Sequence, residues 1–183
     1  MQKSVKDLKG YAIGATDGDI GQLDDFYFDD AAWTIRYLVA DTGNWLLGRK
    51  VLISPIALGK ADLSAERLNV TLTKKQVEDS PSIDTDKPVS RQHEAYYHDY
   101  YGYPYYWSGP YLWGPMYFPQ LPDADQMTIE ERRAALKPGN PLHDPREDRT
   151  SPFTSIISLK PDCVALCALA TQIKRICQYF GRS

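Results

Sequence analysis

The chain has 183 residues, is 43% hydrophobic and carries a formal net charge of −3 from 21 basic and 24 acidic groups. That is enough apolar material for a real core and excludes a disordered tail. The charge is uneven: residues 1–120 hold 16 acidic and 12 basic groups, residues 121–183 hold 8 and 9, so the N-terminal part repels a phosphate backbone.

From Tyr11 to Leu72 short alternating runs separated by turn residues predict an antiparallel sheet of five strands. Tyr11, Ile13 and Ala15 alternate up to Asp17-Gly18, a dipeptide suited to a type I′ hairpin turn. The chain returns through Ile20 to Phe26 and Phe28, with Gly21 permitting a bend or bulge. After Asp29-Asp30-Ala31-Ala32, the run Thr34–Thr42 places Ile35, Tyr37 and Val39 on one face. Arg49–Ser54 does the same for Val51 and Ile53 before Pro55, and Leu68, Val70 and Leu72 give the last alternation. So few strands remove their exposed edges most economically by closing, so the expected fold is mainly β, a small closed antiparallel barrel over residues 5–80.

Thr73-Lys74-Lys75-Gln76 matches a capping box and predicts a short helix ending before Pro81. Residues 81–120 read as a polar connector, a short helix capped by Ser90 and an aromatic arm. Between Tyr96 and Phe118 nine tyrosines, two tryptophans and a phenylalanine are interleaved with glycine and proline, which forbid a long helix. Residues 121–160 read as a second short helix, opened by Thr128-Ile129-Glu130-Glu131, and a proline-rich linker. Residues 161–183 predict an amphipathic helix with Leu166, Leu169, Ile173, Ile176 and Phe180 along one stripe.

The chemistry-bearing residues are few. Asp24, Asp25, Asp29 and Asp30 suggest a cation site or an acid/base pair, but they stand at strand ends and turns, where aspartate serves local structure. His93 and His98 are five residues apart, off the spacing that puts two ligands on one helical face, and His143 is distant. Cys163, Cys167 and Cys177 are expected to be buried thiols. No nucleophile elbow, phosphate loop or dinucleotide fingerprint occurs. We therefore expect no catalytic residues, no cofactor and no metal. The expected contact residues are Tyr100, Tyr101, Tyr103, Tyr105, Tyr106, Trp107, Tyr111 and Trp113, because tyrosine and tryptophan give large contact area with few torsions to freeze.

The run Gly10-Tyr11-x-Ile13-x-Ala15-x-Asp17-Gly18-x-Ile20-Gly21, followed by Asp25-Phe26-Tyr27-Phe28-Asp29-Asp30, resembles the opening of PRC-barrel proteins. Trp33-x-Ile35-Arg36-Tyr37-Leu38-Val39-Ala40-Asp41-Thr42 and Val51-Leu52-Ile53-Ser54-Pro55 are similar to the same family. Asp86-Lys87-Pro88-Val89-Ser90-Arg91-Gln92-His93-Glu94, leading into Tyr100-Tyr101-Gly102-Tyr103-Pro104, resembles a bacterial subgroup of it. A second barrel often follows in that subgroup; no such pattern occurs after residue 145 here. The family includes the cytoplasmic domain of the photosynthetic reaction-centre H subunit and a domain of a ribosome-maturation factor. The resemblance thus implies a non-catalytic protein-interaction or assembly module, with self-association into a homo-oligomer expected.

Two other readings stand beside it, an RNA- or ribosome-associated barrel and an enzyme using the barrel carboxylates. Nucleic acid is not the expected partner, since binding single strands takes basic residues among the rings and none lies between Tyr96 and Gln120. No apolar run reaches the roughly 18–20 residues of a membrane span, and no secretory signal follows Met1. The expected location is the cytoplasm, which leaves room for peripheral membrane association.

Overall fold

Ile13, Ile20 and Leu23 alternate with polar or small neighbours, and burying that one face is what turns the first residues into a β-hairpin. A computed structural model describes residues 5–29, 32, 34–83, 89–108, 110–114, 117–119 and 156–158. They fall into two units, residues 1–88 with 156–183, and residues 89–155.

In the first unit a short helix α1 (Val5–Leu8) precedes strands β1 (Ala12–Ala15), β2 (Gly18–Asp29), β3 (Thr34–Asp41), β4 (Lys50–Ile53), β5 (Leu58–Asp62) and β6 (Arg67–Val70). Helix α2 (Lys74–Glu78) follows, and Ile156–Ser158 form a last strand, β7. The ladder runs β4-β3-β2-β1-β6-β5, with β7 on β2. Its apolar filling includes Tyr11, Ile13, Phe26, Tyr37, Val39, Val51, Ile53, Leu68, Val70 and Val77.

The sheet is mixed rather than antiparallel throughout, because β1 and β6 run parallel with Ile13 opposite Leu68. These are the first and sixth strands of the wrap, joined by no hairpin, so turn geometry imposes no antiparallel pairing on them. Closure also differs from expectation. Among the described residues no hydrogen-bonded ladder joins β4 to β5. The sheet nevertheless cannot be flat. Six strands spaced about 4.8 Å apart would hold their outer members about 24 Å apart. The chain passes from Ile53 at the end of β4 to Leu58 at the start of β5, five peptide steps of at most about 18 Å in all. The sheet must therefore curl until its two edges come within reach of that link, a 3-10 turn over Pro55–Ala57 capped by the Ser54 hydroxyl accepting from the Ile56 N–H.

Local devices shape the curl. Thr16-Asp17 forms the two-residue loop of the first hairpin, but neither residue has positive φ, so the turn is not type I′. Asp17 serves elsewhere: its Oδ1 accepts the Lys74 N–H at 2.7 Å, and the Thr16 N–H donates to the Leu72 carbonyl at 3.0 Å. The hairpin tip is thus tied to the start of α2, whose Thr73–Gln76 capping box is present as the sequence predicts. Ile20 is the unpaired residue of a bulge, since Ile13 faces Gly21 and Gly14 faces Asp19. Gly21, at φ +157°, lies so close to the end of β3 that a Cβ there would stand 2.0 Å from the Asp41 carbonyl oxygen.

β3 is buried from Thr34 to Ala40, on both faces, including Arg36. Two strands escaped the sequence reading: β5, in Leu-Gly-Lys-Ala-Asp, and β7, inside the stretch read as helix and linker. The helix expected from Thr128 and the amphipathic helix of residues 161–183 lie outside the described residues. Among the described residues no helix is long and apolar enough to cross a membrane.

Candidate interaction surface

In the second unit, helix α3 (Arg91–Tyr101) begins where the Ser90 hydroxyl accepts the His93 N–H, as its sequence predicts. It stops at Gly102, whose φ of 63° is left-handed, and the Tyr103 N–H closes back on the His98 carbonyl at 2.9 Å. That reversal turns the following tyrosines back along the helix. His98 is buried, with Nδ1 2.9 Å from the Pro104 carbonyl oxygen, and the Tyr105 hydroxyl donates to Asp99 at 2.5 Å.

Tyr106 reaches a second, buried carboxylate. Glu94 is fully buried; its Oε1 accepts from the Tyr106 hydroxyl at 2.6 Å, and its Oε2 lies 2.9 Å from Arg91 Nη1. The same Arg91 nitrogen donates to the Tyr106 oxygen at 2.8 Å, and the guanidinium covers the Trp107 ring at 4.2 Å. Charge, phenol and indole therefore form one network around the buried Glu94 carboxylate. Around it Tyr101 stacks on Tyr103 at 5.3 Å, and Tyr105 on Trp107 at 4.9 Å.

This packing redistributes the expected contact residues. Tyr101, Tyr103, Tyr105, Tyr106 and Trp113 are buried, Tyr100 and Trp107 are half-buried, and only Tyr111 is exposed. The five buried rings pack against α3 and its return and show little area to solvent. Other side chains of the unit are exposed. A narrow turn pairs Tyr111 with Gly114, whose φ of 73° suits glycine and whose Cβ would meet the Tyr105 carbonyl oxygen at 2.5 Å. Beyond it Tyr117 is 65% exposed and Phe118 44%, beside Tyr111 at 40% and Leu112 at 37%. Tyr111 and Tyr117 meet with ring centroids 4.0 Å apart. Their hydrogen bond, with a smaller contribution from burial, holds the Tyr117 hydroxyl above its usual titration range. Leu112, Tyr117 and Phe118 were missed from sequence because a dense run of aromatics does not say which members turn outward.

Of the aspartate cluster, Asp24, Asp25 and Asp29 are each engaged by a cation. Asp24 binds Lys50 at 2.7 Å, Asp25 binds Lys9 at 3.0 Å and Asp29 binds Arg36 at 2.9 Å. The hydrogen bond that Lys50 donates to Asp24, together with the surrounding carboxylates, raises the Lys50 pKa, against a lowering by burial. Asp29 is buried rather than turned to solvent, yet it keeps the turn role its position suggests, its Oδ1 accepting the Ala32 N–H at 3.1 Å. Among the described residues no group of three or more histidine, cysteine or acidic side chains is placed to hold a metal ion. Asp30, His143, Cys163, Cys167 and Cys177 lie outside the described residues.

No curated protein matches the chain. Residues 1–77, the stretch that folds into the curled sheet and the start of α2, match the family model of the PRC-barrel domain, and the chain carries a PRC-barrel domain there.

Proposed function

We propose that this chain is a non-catalytic interaction and assembly module, in which the PRC-barrel domain is the scaffold and the aromatic unit after it presents the contact surface. The observation that carries this reading is the exposure of Tyr111, Leu112, Tyr117 and Phe118 within eight residues, beside an aromatic framework already satisfied internally. Large apolar side chains clustered in this way mark protein contact sites, and rings whose neighbours are packed lose little freedom on binding. The engagement of Asp24, Asp25 and Asp29 by cations supports a role in contact rather than in acid/base chemistry. The short Pro55–Ala57 link supports a barrel finished by side-chain packing rather than by a last ladder.

A second copy is the first partner to test. Light scattering of the full chain over a concentration series should show oligomers, and the Tyr111→Ser/Tyr117→Ser/Phe118→Ser variant should stay smaller with an unchanged circular dichroism spectrum. A wild-type chain that remains monomeric at high concentration counts against self-association. Oligomers untouched by the triple substitution place the contact elsewhere.

A further inference from the structure

Among the described residues β2 is the longest strand, and its two edges are used differently. One edge pairs with β3 from Gln22 to Asp29. The other pairs with β1 only as far as Gln22, and β7 takes up that edge again at Tyr27–Asp29. The register is antiparallel, with Tyr27 opposite Ser158, Phe28 opposite Ile157 and Asp29 opposite Ile156. β7 therefore completes the first unit although the whole aromatic unit intervenes in sequence.

Three features make this pairing exchangeable. It spans three residue pairs, shorter than the five or six usual for a strand. It closes a very long loop, so its effective concentration is low, and an identical strand from another molecule competes as protein concentration rises. The chain between residues 119 and 156 has a contour length of roughly 120 Å, so reach is no obstacle. A second copy also supplies a strand that fits this edge in the same register by construction.

We infer that the β2 edge at Tyr27–Asp29 is a strand-acceptor site, and that its second occupant is Ile156–Ser158 of another copy of this chain. Two molecules that trade β7 in this way form a reciprocal dimer. This contact is separate from the exposed aromatic surface, and the two fail separately.

Two differently tagged full-length preparations, mixed at about 0.5 mM and incubated, test it by co-capture. Co-capture should grow with time and concentration. It should persist in Tyr111→Ser/Tyr117→Ser/Phe118→Ser, which lacks the aromatic contact, and fall at least tenfold when Ile156→Pro/Ile157→Pro is added to that variant: alternate N–H groups of a strand face its neighbour, so two consecutive prolines remove at least one ladder donor. Absence of co-capture in the wild type, its loss in the aromatic variant or its persistence when the prolines are added to that variant overturns the inference. A second arm guards against a proline variant that fails to fold. With Cys163, Cys167 and Cys177 replaced by serine, a Phe28→Cys copy mixed with an Ile157→Cys copy should oxidise to a disulfide-linked dimer. No such dimer overturns the exchange.

Discussion

The Arg36 guanidinium lies 2.9 Å from the Asp29 carboxylate across the β2–β3 hairpin, and both side chains are almost fully buried. Asp29 also accepts the Ala32 N–H at 3.1 Å, so one carboxylate holds both the strand pair and the turn that joins them. Arg36→Met leaves that carboxylate buried without its cation and should cost about 3–5 kcal/mol, read as a lower urea midpoint. A loss under about 1 kcal/mol would show that the pair is solvated.

The tie between the first hairpin and α2 has a smaller value. Thr73→Ala removes the reciprocal cap with Gln76 and should cost about 1 kcal/mol. Asp17→Ala removes the second acceptor at that helix start and should lose a similar amount, again by urea titration. The double variant should lose more than either single one.

These contacts show what the sequence made legible. β1 to β4 and β6 announce themselves by alternation and by turn residues, and both capping residues, Thr73 and Ser90, mark helices that form. β5 has no such signal: Gly59, Lys60 and Asp62 favour other conformations, and only its pairing with β6 through Leu58–Val70 and Ala61–Leu68 makes it a strand. The parallel β1–β6 pairing and the β7 addition are tertiary choices that no local period encodes. In the aromatic unit the signal was composition, which identified the segment but not its orientation. Burial of Glu94 beneath Tyr106 and Arg91 runs against the usual exposure of charged residues and depends on a fold-back set by Gly102.

That fold-back gives a sharp substitution. Tyr106→Phe removes the hydroxyl that donates to Glu94 and accepts from Arg91 while keeping the ring. It should destabilise the chain by about 1–3 kcal/mol, because buried polar groups lose a partner. Tyr117→Phe, at an exposed ring, should leave the thermal midpoint within about 2 °C.

His93 sets a pH dependence. Burial lowers its pKa from the usual value near 6.5, and its Nε2 has no hydrogen-bond partner among the described residues. The unfolded chain therefore binds the proton more readily than the folded one. This contribution to stability is present above the usual histidine range and is lost as the pH falls through it towards the lower folded value. His93→Gln should flatten the fall in urea midpoint between about pH 7 and pH 5. An unchanged slope would assign it to other groups.

Tyr111, Tyr117 and Phe118 are the proposed surface through which the chain meets a protein partner. Hydroxyl-radical footprinting of the full chain, compared between its dilute and associated forms, reads those rings one by one. Their oxidation should fall at least threefold on association while that of exposed Tyr96 changes little. Equal oxidation of the three rings in both forms, with association still present, would contradict it.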